Sequence, residues 1–306
     1  MVTTPHITPC YLGLPMWSHS HWQQSVYQDK QQAHRLAHYA QVFNTVEGNT
    51  TFYATPKASS VNNWLDATHN DFRFTFKLPK TITHERKLLH CQPEMNAFFR
   101  ALEPLHQRTG VWKIQLADHF GPASLPVLDQ FLNQLPQGMS FGVEVRHKAF
   151  FAKGEHEKQL NRLLMQHHCS RIIMDTRAVF AAPPTSAAVI DAHQKKPKVP
   201  VHPIATNNHP VIRFVGGPDL QQNLQFFTNW LKPLPQWLND GKTPYIFIHT
   251  PDNNAAPEQA IAIYQHLKQH VTQQMQLHLP EFSLPLLANK AAEAEQAQQS
   301  QLDLGI

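Results

Sequence analysis

Carboxylates and cations recur at one kind of place in this 306-residue chain, the ends of short apolar runs. Glu47, Glu144 and Asp175 are the carboxylates; Lys77, His84, Arg146, His147, Arg177, Arg213 and His249 are cations or proton carriers; Asn49, Gln115, Asp252 and Asn253 add further polar groups. A carboxyl beside basic groups can be tuned for proton transfer. Glu144 is therefore the candidate general acid/base, with Glu47 and Asp175 as its partners. Arg146 and Arg213, with the backbone of Gly216 and Gly217, form an expected anion holder, because a guanidinium fork and glycine N–H groups suit phosphate oxygens. Trp17 and Tyr53 offer rings on which a base could stack. For any single member the structural alternative is an ion pair, such as Glu144 with Arg213. Buried charge is costly, and stability alone does not call for so much of it at strand ends, so the cluster as a whole reads as a site.

Other chemistries fit less well. Glu47, His84, Glu144, His147, Asp175 and His249 are ligand types for zinc or manganese. No pair has HxxxH or HxxE spacing, however, and Arg146, Arg177 and Arg213 would repel a cation, so no metal is expected. A GxSxG elbow, a GxxxxGK[ST] loop and a GxGxxG turn are all missing, so neither a serine nucleophile nor a cofactor is expected.

The elements that must position these groups are eight short apolar or alternating runs bounded by turn residues. They are Tyr11–Leu14, Thr45–Asn49, Phe72–Lys77, Val111–Leu116, Phe141–His147, Arg171–Asp175, Val211–Val215 and Tyr245–His249. Helical patterns lie between most of them, at Ala33–Phe43 and Met95–Leu105 for example, and Pro257–His270 follows the last. Alternating strands and helices imply parallel pairing, and eight such strands imply a closed (β/α)₈ barrel, an architecture that commonly takes about 250 residues as one domain. Its chemistry belongs at the C-terminal strand ends, and phosphate sites favour the loops after strands seven and eight. A long Pro-, Ala- and Lys-rich connection, Ala178–Asn208, separates strands six and seven and is expected to carry a helix over Ser186–Gln194.

Composition bounds the function without choosing it. Lys and Arg outnumber Asp and Glu by 26 to 22, a net charge of +4, and 21 histidines add positive charge as pH falls. Cys10, Cys91 and Cys169 lie far apart without CxxC spacing, which suits packing thiols in a reducing compartment, the cytoplasm. No run approaches the ~20 apolar residues of a membrane span, and the first residues lack the pattern of a signal peptide, so no membrane association is expected.

Several strings occur together in order: Phe43-Asn44-Thr45-Val46-Glu47-Gly48-Asn49-Thr50-Thr51-Phe52-Tyr53, Val143-Glu144-Val145-Arg146-His147, Met174-Asp175-Thr176-Arg177, Lys195-Lys196-Pro197-Lys198, Ile212-Arg213-Phe214 and His249-Thr250-Pro251-Asp252. In this the chain resembles the YecE-like family, domain of unknown function 72, over about residues 10 to 280. The resemblance implies a (β/α)₈ barrel over residues 1–285 and a site location, and it brings no activity with it. The remaining residues, 286–306, are rich in Ala, Gln and Glu and are expected to form a polar, disordered tail. That tail ends Gln301-Leu302-Asp303-Leu304-Gly305-Ile306, similar to the peptides by which bacterial proteins dock on the DNA sliding clamp; Gln301, Leu302, Leu304 and Ile306 would make the contacts. The leading expectation is a barrel that binds a phosphate-containing ligand, a nucleotide or nucleic acid, between strands two, five, seven and eight, with hydrolysis as a candidate reaction. The alternative is a non-catalytic accessory protein of DNA maintenance recruited to the clamp. A metal-dependent hydrolase acting on DNA ranks third.

Overall fold

A computed structural model describes residues 9–275 and 277–285. The partner-binding residues Gln301, Leu302, Leu304 and Ile306, and the tail from 286 onward, lie outside the described residues. The first half of the fold runs β1 (Tyr11–Leu14), α1 (Arg35–Val42), β2 (Thr45–Gly48), α2 (Ala58–Asp66), β3 (Arg73–Lys77), α3 (Gln92–Ala101), β4 (Thr109–Gln115) and α4 (Leu125–Leu132). The second half runs β5 (Phe141–Glu144), α5 (Glu155–Gln166), β6 (Ser170–Asp175), α6 (Arg177–Ala181), α7 (Ala187–Lys195), β7 (Val211–Val215), α8 (Leu220–Phe227), α9 (Pro233–Asn239), β8 (Tyr245–His249) and α10 (Ala256–Met275). All neighbouring strands are parallel and β8 closes on β1, giving the expected (β/α)₈ barrel.

Several boundaries differ from the sequence reading. The helix expected to reach Leu105 stops at Ala101, and a 3₁₀ turn with Pro104 in its first turn takes over from Glu103 to Arg108. Strand five ends at Glu144, so Val145, Arg146 and His147 leave the sheet. Strand two ends at Gly48, and Asn49 opens a 3₁₀ turn. In the long connection, Ser186 caps α7 by accepting a hydrogen bond from the Val189 N–H at 3.3 Å.

Strand side chains alternate between barrel interior and helix layer, and the pattern decides where each polar group goes. The interior floor is apolar: Val111, Ile172, Val211, Tyr245 and Phe247 form one buried cluster joined by Tyr11, whose ring stacks on Tyr245 at 4.5 Å. The opposite strand faces, with Phe74, Phe76, Trp112, Ile212 and Phe214 among them, pack under the helices in the main core. Inward positions two residues beyond the floor carry the charges. The register sets Lys77 opposite Lys113, Gln115 opposite Glu144, and Arg213 opposite Phe247.

Candidate functional site

Glu47, only 1% exposed, sits on the inner face of β2 and meets three basic side chains. Lys113 Nζ lies 2.9 Å and Arg213 Nε 2.8 Å from Oε1, while Arg213 Nη2 donates to Oε2 at 3.2 Å and His249 Nε2 stands 3.0 Å from it. Glu144, the last residue of β5, accepts a hydrogen bond from Arg213 Nη1 at 2.6 Å on Oε2, and from Arg146 Nε and Nη2 at 3.2 and 3.1 Å on Oε1. Arg213 thus ties the two carboxylates together from β7. Arg146 Nη2 also donates to Gln115 Oε1 at 3.1 Å, and Asn49 Nδ2 donates to the Pro15 carbonyl at 3.0 Å. The pair Glu144 with Arg213, expected as the structural alternative, is present and lies within this group of charges. Polar capacity is still left over: Glu47 Oε1, Asn49 Oδ1, Arg213 Nε, His249 Nε2 and Thr250 Oγ1 are buried without a well-angled hydrogen bond, close as some of their charge contacts are.

The electrostatics follow from this packing. Burial pushes the Glu47 carboxyl up, but Arg213, Lys113 and His249 overrule it and hold it well below the usual carboxylate range. Burial also raises Glu144, and Arg213, Arg146 and Lys77 bring it down to about 2. His249 is lowered by burial to about 4, against the opposing pull of Glu47. Lys77 ends β3 facing inward, its Nζ 4.3 Å from the Phe52 ring centroid. Burial lowers it to about 7, Glu144 working against the shift and Arg213 and Lys113 with it. Burial lowers Lys196 to about 8, with the charge of Arg213 next in weight. Among the described residues neither Lys77 nor Lys196 has a carboxylate within ion-pair distance, since Glu47 and Glu144 are taken by other cations.

Beside the charges lies a cleft of about 390 Å³ lined by Pro15, Met16, Trp17, Ser18, Glu47, Asn49, Thr50 and Tyr53. Trp17 packs edge-on against Trp64 at 5.4 Å, and Tyr53 is 75% exposed. His84 sits edge-on to Phe52 at 5.1 Å, with the Thr83 hydroxyl 2.8 Å from its Nδ1; burial and then the charge of Lys77 lower it.

Other expected members are placed elsewhere. Asp175 is fully buried but on the outer face of β6, because Ile172 and Met174 take the inward positions. It accepts two hydrogen bonds from the Arg177 guanidinium, at 2.9 and 2.6 Å, one from the Arg177 N–H at 3.1 Å and one from Trp230 Nε1 at 2.8 Å, so it is no partner of Glu144. Gly216 and Gly217 do not offer free donors: Gly216 N–H donates to the His249 carbonyl at 2.9 Å and Gly217 N–H to Asn223 Oδ1 at 2.8 Å. A Cβ on Gly216 would stand 2.6 Å from Asn223 Nδ2, so what glycine permits here is close side-chain packing in place of anion approach. Asp252 and Asn253 shape the turn after β8: Asp252 accepts from the Asn254 N–H at 3.0 Å, Asn253 Oδ1 accepts from the Thr250 N–H at 3.2 Å, and Asn253 adopts φ 58°. His147 accepts from the Ala149 N–H at 3.2 Å and lies against Gly121.

Sequence reasoning missed Lys113 and Lys196. Lys113 was legible, since it lies two residues before Gln115 and so shares its face. Lys196 was not, because only folding brings the end of the α7 excursion over the barrel. Among the described residues no three His, Cys, Asp or Glu side chains group as a metal site, and no helix is long and apolar enough to cross a membrane. The three cysteines are buried and free.

A family model described as "Protein of unknown function DUF72" matches residues 11–283. The UPF0759 protein YecE of Escherichia coli (strain K12) is 47% identical over 258 residues, 84% of this chain and 92% of that protein. Its counterpart in Escherichia coli O157:H7 is 46% identical over the same length. Among solved structures, a DUF72 family protein from Enterococcus faecalis V583 superposes with a TM-score of 0.63 at 19% identity, covering 89% of this chain and 99% of that one. Another, from Thermotoga maritima MSB8, gives 0.60 at 21% identity over 89% and 100%. At such identities the likeness to these structures speaks for the fold alone.

Proposed function

The chain belongs to the DUF72 family, and on that premise we propose that its barrel mouth binds a small phosphate-containing molecule. One observation carries this: the cations Lys77, Lys113, Arg146, Lys196 and Arg213 share only the carboxylates Glu47 and Glu144, and Lys77 and Lys196 are left without ion partners among the described residues. Unpaired charge over an apolar floor is costly, and an arriving anion relieves that cost. Arg146, a quarter exposed at its side chain, spends Nε and Nη2 on Glu144 and Gln115 and brings Nη1, which has no hydrogen-bond partner among the described residues, to the open edge. The cleft beside Trp17 and Tyr53 suits a ring or another flat organic part. Glu144, held at about 2, stays an anion at neutral pH and orients its cations, so it is replaced as proton carrier by Lys77, whose value of about 7 matches that task.

Inorganic phosphate and a nucleoside monophosphate should each raise the melting temperature of the full chain, with the effect lost in Lys196→Ala. If neither ligand shifts melting nor gives heat in titration calorimetry, the anion site is wrong.

We propose as a separate partner the DNA sliding clamp, on the string Gln301-Leu302-Asp303-Leu304-Gly305-Ile306. A peptide of these residues should bind purified clamp, and Leu302→Ala with Leu304→Ala should abolish binding. A peptide that stays unbound while a Phe-ended control binds would dismiss the partner.

A further inference from the structure

We infer that Lys77 is a Schiff-base-forming amine: its Nζ, 4.3 Å from the Phe52 ring centroid at the inward end of β3 and without a carboxylate partner among the described residues, condenses with the carbonyl carbon of a small substrate whose anionic group lies against Lys196 and Arg146. This rests on the anion site proposed above and names its substrate class, a phosphorylated or carboxylated aldehyde or ketone.

The placement meets the demands of amine catalysis. A nucleophilic lysine must be partly neutral, and burial with neighbouring cations is the usual means. Here burial acts first, and Arg213 and Lys113 add to it. An ion pair to a carboxylate would keep the amine protonated; Glu47 is occupied by Lys113, Arg213 and His249, and Glu144 by Arg213 and Arg146. The ring of Phe52 covers one side of the amine in a cation–π contact, which favours a charged nitrogen and so also the iminium that forms. Glu144 acts electrostatically on Lys77 without pairing to it, so its negative charge can stabilise the cation that forms. His84, edge-on to Phe52 at 5.1 Å, also feels the Lys77 charge.

The step balances as follows. The lone pair of neutral Nζ forms a C–N bond to the carbonyl carbon while the carbonyl π pair moves to oxygen. The nitrogen gives up one proton and the oxygen takes one, both through water at the open mouth. A further proton from water lets the C–O bond break and one water leave, giving a protonated iminium beside Glu144. No oxidant or reductant is consumed.

The test uses the full chain with two probes, pyruvate and glycolaldehyde phosphate, and sodium borohydride to reduce any iminium to a stable secondary amine. Intact mass and peptide mapping should show one adduct per chain, located at Lys77, formed faster as the pH rises through about 7 and suppressed by inorganic phosphate. The adduct should be lost in Lys77→Arg, whose melting temperature reports its folding, and retained in Lys198→Arg, an exposed lysine change away from β3. Labelling spread over exposed lysines with Lys77 unmodified would overturn the inference. No adduct from either probe while phosphate still raises the melting temperature would overturn it too, and would leave the anion site standing. An adduct at Lys77 that phosphate neither suppresses nor competes with would keep the amine and overturn its anionic substrate.

Discussion

Arg213 is the residue on which the two buried carboxylates of the mouth depend, since it touches Glu47 and Glu144 at once and is itself only 6% exposed. Removing one member of a buried ionic group leaves the others uncompensated, at a cost of roughly 3–5 kcal/mol. Arg213→Met should therefore lower unfolding free energy by about that much in urea titration; a loss near zero would mean that the carboxylates are not held by this guanidinium. Lys77 sets a pH dependence of definite sign. Its folded value of about 7 lies below the ordinary 10.5, so between these the unfolded chain carries a proton that the folded chain lacks. Stability then rises with pH across that window, by at most about 1.4 kcal/mol per pH unit for one group, and the penalty is complete below the folded value. Lys196, at about 8, adds to it with the same sign. Melting between about pH 7 and 9 should follow this rise in the native chain and rise less steeply in Lys77→Met, where the contribution of Lys196 remains. Equal slopes for both proteins would dismiss the shift.

Strands explain what the sequence could and could not reveal. Their positions were legible because each is a short apolar run between turn residues, and seven of the eight expected starts fall within one residue of the observed ones, β4 alone starting two residues earlier. Which strand-end side chains share a site depends on facing, and that too was available. Gln115 and His249 fall on the parity of the inward floor residues Val111, Tyr245 and Phe247, whereas Asp175 has the parity of Arg171 and Ile173, opposite to the floor residue Ile172. Arg171 confirms the outward parity: it reaches Glu157 and Asn161 of α5 at 2.8 Å each. Treating every polar strand end as part of one mouth ignored this two-residue period. The role of Gly216 and Gly217 was not legible, because it depends on Asn223 arriving from α8. An element-level outcome follows. Asp175→Asn should lower the melting temperature, since Arg177 loses its bidentate partner, and should leave the phosphate-induced shift unchanged. Loss of that shift would place Asp175 back at the mouth.

Across the whole molecule, floor and mouth divide the work. Phe247 is fully buried and belongs to a cluster fed by β1, β4, β6, β7 and β8, so it helps to close the ring of strands. Phe247→Ala should cost about 3–5 kcal/mol in equilibrium unfolding through the cavity it leaves. A cost below about 1 kcal/mol would mean that the floor collapses freely. Above that floor, the two lysines without ion partners among the described residues have a consequence for heat. At about pH 8 each is only partly protonated, and an incoming anion makes the charged form favourable. Ligand uptake should therefore draw protons out of the buffer. The apparent enthalpy of phosphate binding should differ between phosphate titrations run in Tris and in HEPES, in proportion to the ionisation heats of the two buffers. The protein would then act, over a narrow range of pH, as a coupled carrier of anion and proton.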